Sequence, residues 1–121
     1  MSKRVLVVDD EPDILKVVTF RLKKEGYEVI TAVDGQEGLD FAKSKKPDLI
    51  LLDLRLPKMN GDEVCKLIKA DEQIKHIPVI FITASQQSDV GEMAKEFCAQ
   101  DYIVKPFTPE ELFAKVRQYL K

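Results

Sequence analysis

The feature that most constrains the fold of this chain is a series of short, uninterrupted apolar runs. Four of them recur along the sequence, at residues 5–8, 49–52, 79–82 and 102–104. Strands with one face in water alternate apolar and polar residues, whereas strands covered by helices on both faces are apolar throughout. The runs therefore predict a parallel sheet buried between helices, and a weaker, alternating run at 27–32 predicts an edge strand.

Helical patterns fill the segments between these runs. Their starts are marked by capping residues, by prolines at a first helical position or by apolar side chains repeating every three to four residues. The predicted helices start at Pro12, Asp34, Asn60, Asp89 and Thr108. The start at Thr108 is the clearest, because a capping threonine is followed by a proline and then by Glu111 three residues after the cap.

Strand and helix thus alternate five times, which predicts an α/β fold: a single doubly wound (βα)5 domain with right-handed crossovers. A chain of 121 residues leaves little room for a second core. We expect residues 1–121 to form this one domain, with no space for an output domain after the last helix.

Charge and composition exclude several classes of protein. Nineteen Lys and Arg residues against 21 Asp and Glu residues give a net charge of -2, which argues against direct nucleic acid binding or attraction to an anionic membrane. The chain shows neither a signal peptide nor an apolar run of membrane-spanning length. Cys65 and Cys98 lack metal-binding spacing, and we expect them to be semi-buried thiols in a cytoplasmic protein.

Polar side chains follow the ends of the central runs. These residues are Asp9, Asp10, Asp53, Thr83 and Lys105. Each alone has an ordinary explanation, since an aspartate after a strand often caps a helix and a threonine often ends a strand. The carboxyl ends of parallel strands, however, meet at the edge where such sheets bind ligands. Together the five residues indicate a site.

Three carboxylates beside one ammonium group leave about two excess negative charges, which a poorly hydrated pocket tolerates only with protons or a cation. Oxygen ligands without histidine or cysteine favour Mg²⁺. Mg²⁺ held by carboxylates usually also contacts phosphate oxygens, for which Lys105 would supply a second positive contact.

Four strings around these residues resemble the receiver domain of two-component response regulators, the CheY-like family. They are VVDDE at 7–11, LDLRLPKMNG at 52–61, ITA at 82–84 and DYIVKPF at 101–107. The resemblance covers essentially the whole chain. It implies a CheY-like, flavodoxin-like sheet of five parallel strands in the order 2-1-3-4-5.

The resemblance also implies the chemistry. Asp53 matches the phosphoacceptor, which takes a phosphoryl group from a phosphohistidine of a sensor histidine kinase or phosphotransfer protein. Such a domain catalyses its own phosphorylation and dephosphorylation rather than acting as a conventional enzyme. Lys105 matches the residue that pairs with the phosphoryl oxygens, and Thr83 the hydroxyl that moves to them.

In the same family, the metal ligands match Asp10, Asp53 and the backbone carbonyl of Arg55, with Asp9 holding the ion, often through water. The resemblance implies Mg²⁺ at this site, with Mn²⁺ as a possible substitute.

Thr83 and Tyr102 match the two residues that, in this family, transmit the phosphorylation signal from the site to the surface. The downstream protein or output domain is expected to bind the surface formed by the fourth helix, fifth strand and fifth helix. Arg55 and Ser85 match positions that tune the phosphoryl lifetime. Cys98 departs from the family, which usually has glycine there, and the bond between Lys105 and Pro106 is expected to be cis.

Three alternatives stay open. A flavodoxin-like electron carrier shares the strand pattern, but the acidic loop that begins at Asp9 would repel a flavin phosphate. A small phosphohydrolase with an aspartyl nucleophile is disfavoured by the adjacent Asp9 and Asp10 and by the lack of length for a substrate cap. A receiver-like domain without phosphorylation chemistry is disfavoured because all five site positions are intact.

Overall fold

Five parallel strands form one sheet in the computed structural model of the chain, which describes residues 2–83 and 99–120. The strands are β1 Arg4–Val8, β2 Glu28–Ala32, β3 Leu49–Asp53, β4 Val79–Thr83 and β5 Asp101–Val104. They lie side by side in the order β2-β1-β3-β4-β5, and every neighbouring pair is parallel. The predicted α/β class and strand order are therefore confirmed.

Helices cover both faces of this sheet. Within the described ranges they are α1 Pro12–Lys24, α2 Gly35–Lys45, α3 Gly61–Ala70 and α4 Pro109–Tyr119. The helix predicted over 89–97, the rate-tuning position Ser85 and the departure at Cys98 lie outside the described residues.

Two apolar cores hold the layers together. Side chains of α1 and α4, such as Leu22 and Leu112, pack on one face of the sheet, while residues of α2 and α3, such as Leu39 and Ile68, pack on the other. All residues of β3 and β4 are buried, as their uninterrupted apolar runs predict. Because each fully buried leucine or isoleucine contributes about 1.5–3 kcal/mol, these two strands anchor the sheet.

The helix ends follow the sequence signals. Thr108 Oγ1 accepts a hydrogen bond from the Glu111 N–H at 3.1 Å, and the Glu111 side chain accepts one from the Thr108 N–H at 3.3 Å, so the predicted capping box is confirmed. Asp34 caps α2 by accepting from the Glu37 N–H at 2.8 Å. Cys65, expected to be semi-buried, is fully buried.

No helix in the described part of the chain is long and apolar enough to cross a membrane.

Candidate functional site

Three aspartates meet at the carboxyl edge of the sheet, as the strand ends predict. Asp9 and Asp10 follow β1, and Asp53 is the last residue of β3. One carboxylate oxygen from each lies within 4.8 Å of the other two. Asp9 and Asp53 are buried, whereas Asp10 is exposed. The cluster is therefore open to solvent on the side of Asp10.

The Lys105 side chain reaches this cluster from the end of β5. Its Nζ atom lies 3.0 Å from Asp9 Oδ2 and 3.1 Å from Asp53 Oδ2. It also lies 3.1 Å from Glu11 Oε1, a contact that the sequence did not predict. The backbone fixes the start of this side chain, because the Lys105 N–H donates to the Thr83 carbonyl at 2.7 Å. The bond to Pro106 is cis, as expected.

Turns in the backbone orient two of the aspartates. Asp9 Oδ1 accepts a hydrogen bond from the Glu11 N–H at 2.9 Å, and Asp53 Oδ1 accepts one from the Arg55 N–H at 3.2 Å. Both are Asx-type contacts to the residue two positions on. In each aspartate the turn holds one oxygen and leaves the other to face Lys105.

Burial and charge shift the acid–base properties of the site in two ways. Burial raises the pKa of Asp53 above its ordinary value, although hydrogen bonds from Lys105 and from the Arg55 N–H oppose this effect. Burial by itself would lower the pKa of Lys105, but its contacts with Asp9, Asp53 and Glu11 raise it above its ordinary value. Lys105 is therefore a permanent cation at neutral pH.

The donor set fits a magnesium ion. It consists of carboxylate oxygens without histidine or cysteine, which is the set that Mg²⁺ prefers. Asp9 Oδ2 is buried and accepts no hydrogen bond of good geometry from any described residue, although it faces the Lys105 ammonium. A buried carboxylate oxygen without a hydrogen bond is costly, and a metal ion would add a second favourable contact to the ion pair with Lys105.

Two glycines let the β3–α3 loop lie directly against its neighbours. The Gly61 N–H donates to the Leu54 carbonyl at 2.9 Å, and a Cβ atom on Gly61 would overlap the Asp53 carbonyl oxygen. A Cβ on Gly35 would likewise overlap the Met59 carbonyl oxygen. Sequence patterns do not predict these close approaches between backbone segments.

The other predicted site residues lie nearby. Thr83 is buried at the end of β4, next to Ile82, which pairs in register with Asp53. Tyr102 is half-buried on β5, and its side chain packs against the core on the α2 and α3 face. Arg55 is exposed, two residues after Asp53.

Comparison with known proteins identifies the family. The model of the response regulator receiver domain matches residues 5–117, so the chain belongs to this family. The chain is 34% identical to the chemotaxis response regulator CheY4 of Vibrio cholerae, with a TM-score of 0.92 over 98% of this chain and 99% of that one. It is 30% identical to the receiver domain of the sensor histidine kinase PA1611 from Pseudomonas aeruginosa, with a TM-score of 0.90 over 99% and 98% of the two chains. That receiver holds a magnesium ion in its active-site cleft.

Curated relatives are longer response regulators. The alkaline phosphatase synthesis transcriptional regulatory protein PhoP of Bacillus subtilis is 43% identical over 100% of this chain and 50% of its own length. The DNA-binding response regulator MtrA of Mycolicibacterium smegmatis is 40% identical over 100% of this chain and 52% of its own. The chain thus spans about half the length of the curated relatives it matches.

The raised pKa of Asp53 leads to a prediction about stability. A raised pKa means that the folded state stabilises the protonated acid, so folding stability falls as the pH rises through that value. In metal-free buffer at neutral pH, we therefore expect Asp53→Asn to have a higher Tm than the wild type. Thermal unfolding followed by circular dichroism at several pH values will measure this.

The difference should shrink at acidic pH, where wild-type Asp53 is also neutral. Asp40→Asn, at an exposed position on α2, is the matched control, and we expect it to leave Tm nearly unchanged. A Tm for Asp53→Asn equal to or below that of the wild type at neutral pH would contradict the prediction.

Proposed function

We propose that this chain is a phosphorylation-dependent signalling switch that accepts a phosphoryl group on Asp53. The observation that carries the proposal is the placement of a buried aspartate, 3.1 Å from a lysine ammonium, in a cluster with Asp9 and Asp10. Family membership supports it, because receiver domains belong to response regulators. Family membership also argues against a flavodoxin-like electron carrier and a small phosphohydrolase.

Phosphoryl transfer to Asp53 requires a carboxylate nucleophile and a cation that keeps its proton. One oxygen of Asp53 forms a bond to phosphorus, the bond between phosphorus and the donor histidine nitrogen breaks, and its electron pair remains on that nitrogen. Lys105 keeps its proton and pairs with a phosphoryl oxygen, while the Thr83 hydroxyl donates to another. The product is an acyl phosphate on Asp53.

Asp9, Asp10, Asp53 and the backbone carbonyl of Arg55 would hold the metal. Bound there, Mg²⁺ offsets the negative charge of the carboxylates and of the phosphoryl group in transfer. The proposal includes Mn²⁺ as a substitute, because it accepts the same oxygen ligands. Arg55 and Ser85 are the positions proposed to tune the phosphoryl lifetime.

The proposed phosphodonor is a sensor histidine kinase or a phosphotransfer protein in the cytoplasm. PhoP and MtrA, the two relatives described above, are named as transcriptional and DNA-binding regulators. Their likeness supports a downstream protein or output domain as the recipient of the signal. The net charge of -2 argues against contact between this domain and DNA. We assign residues 1–121 to a single receiver domain.

The proposal is tested by incubating the chain with acetyl phosphate and Mg²⁺. We expect intact mass spectrometry to detect one added phosphoryl group per chain, and the modified protein to lose it in alkaline hydroxylamine, as acyl phosphates do. EDTA should prevent the addition and Mn²⁺ should restore it. If the same mass is added in EDTA at an equal rate, the metal-dependent mechanism is wrong.

Phosphorylation is proposed to act on Thr83 and Tyr102. The phosphoryl group brings new acceptor oxygens to Asp53, and the Thr83 hydroxyl moves inward to donate to one of them. This movement leaves space beside β5, into which the half-buried Tyr102 ring can turn more deeply. Both states exist beforehand, so phosphorylation needs to shift a balance of only a few kcal/mol.

NMR with beryllofluoride, a mimic of the phosphoryl group, in the presence of Mg²⁺ tests this switch. We expect chemical shifts to change at Tyr102 and along the surface formed by the helix predicted over 89–97, β5 and α4. The backbone of residues on the opposite edge, at β2, serves as the internal reference. Changes limited to the neighbourhood of Asp53 would contradict the switch and leave the phosphoacceptor assignment intact.

A further inference from the structure

Three carboxylates surround the ammonium group of Lys105. Its Nζ atom lies 3.0 Å from Asp9, 3.1 Å from Asp53 and 3.1 Å from Glu11. A lysine ammonium has three N–H donors; Asp53 and Glu11 each accept a hydrogen bond from it, and Asp9 Oδ2 faces it as an ion-pair partner. An incoming phosphoryl oxygen therefore competes with these carboxylates for the ammonium group of Lys105.

Glu11 differs from the other two partners in its surroundings. Its side chain is 59% exposed, whereas those of Asp9 and Asp53 are 0% and 9% exposed. Glu11 also lies outside the group of carboxylates that could hold a metal ion. The contact between Glu11 and Lys105 is therefore the one that can be exchanged without disturbing the nucleophile or the metal cluster.

Hydrogen bonds fix the backbone of Glu11, whereas its side chain is exposed and held by the contact with Lys105. The Glu11 N–H donates to Asp9 Oδ1 at 2.9 Å, and the Glu11 carbonyl accepts from the Leu15 N–H at 3.1 Å. Pro12 follows as the first residue of α1 and fixes the backbone further. The Glu11 backbone is therefore fixed where the carboxylate contacts Lys105. If that contact breaks, the carboxylate can turn into solvent.

We infer that Glu11 is a positioning residue that competes with the phosphodonor for the ammonium group of Lys105. This inference rests on the proposed function of Asp53. Before transfer, Glu11 occupies one donor of Lys105; when the phosphodonor binds, a phosphoryl oxygen replaces the Glu11 carboxylate, which turns to solvent. Because Glu11 has left before the transfer step, it weakens binding of the phosphodonor and leaves the maximal rate of transfer unchanged.

The kinetic test is saturation of phosphorylation with acetyl phosphate at fixed Mg²⁺, followed by intact mass. For Glu11→Gln we expect the half-saturating acetyl phosphate concentration to fall about two- to fivefold, the range expected for an exposed ion pair. The maximal rate should equal that of the wild type. This separation of binding from rate is what competition predicts and what damage to the fold would not produce.

Asp13→Asn provides the matched control. Asp13 is an exposed carboxylate in the first turn of α1, whereas the carboxylates that pair with Lys105 among the described residues are those of Asp9, Glu11 and Asp53. This variant removes the same charge two residues away without removing the contact. Its half-saturating concentration should therefore change by much less than that of Glu11→Gln.

A second measurement does not depend on phosphorylation or metal. In metal-free protein, the NMR resonance of the Lys105 ammonium group should shift in Glu11→Gln and stay in place in Asp13→Asn. An unchanged Lys105 resonance in Glu11→Gln, or equal kinetic effects of the two variants, would overturn the inference. So would a higher half-saturating concentration in Glu11→Gln, which would make Glu11 an aid to binding. If the wild type itself gains no phosphoryl group, the proposed function fails first.

Discussion

Replacement of Asp53 by asparagine is expected to abolish formation of the acyl phosphate. The asparagine amide has nearly the same shape but is a poor nucleophile, and it removes one of the carboxylates available to the metal. Intact mass after treatment with acetyl phosphate and Mg²⁺ should show no added phosphoryl group in Asp53→Asn under conditions that modify the wild type fully. The expected loss is therefore complete and not a change in rate.

Two further variants test whether the loss is specific to Asp53. Asp40→Asn removes an exposed carboxylate of α2 and should be phosphorylated like the wild type. Asp10→Asn keeps the nucleophile but loses a carboxylate of the cluster, so it should need a higher Mg²⁺ concentration for the same rate. Addition of a phosphoryl group to Asp53→Asn at wild-type yield would place the phosphoacceptor elsewhere.

The sequence predicts most of this fold because its strongest signals are local. The apolar runs at 49–52 and 79–82 contain no polar residue, and both strands are buried along their whole length, as a sheet covered on both faces requires. The capping box is equally local, since Thr108 and Glu111, three positions apart, determine it. The parallel order also explains why residues from distant runs meet at one edge, because βα units place the end of every strand on the same side.

Contacts made by side chains across long separations are not predictable in this way. Glu11 and Lys105 are 94 positions apart, and no periodicity in the sequence relates them. The close approach at Gly61 is hidden for a different reason. A glycine beside an asparagine usually marks a turn, and only the structure shows that the missing side chain makes room for the backbone of Asp53.

Gly61→Ala is expected to destabilise the fold strongly while leaving the side chains of the site unchanged. Alanine is the better helix former by about 1 kcal/mol, which would favour the variant at an open position. Here the new methyl group would meet the Asp53 carbonyl oxygen and lie 2.9 Å from the Leu54 Cα atom. Both are backbone atoms between a buried strand and its loop, so they cannot rotate away.

We therefore expect Gly61→Ala to lose roughly 2 kcal/mol or more in the free energy of unfolding, measured with urea. Its folded molecules should also be phosphorylated at least about tenfold more slowly, because displacement of the Asp53 backbone misplaces the nucleophile.

Gly38→Ala is the matched comparison, since its methyl group would lie 2.9 Å from the Val8 Cγ atoms, in the core. That variant should lose stability but keep the wild-type phosphorylation rate per folded molecule, because the strain falls on a side chain of β1 and not on Asp53. Equal phosphorylation rates in the two variants would show that the contact at Gly61 serves packing alone.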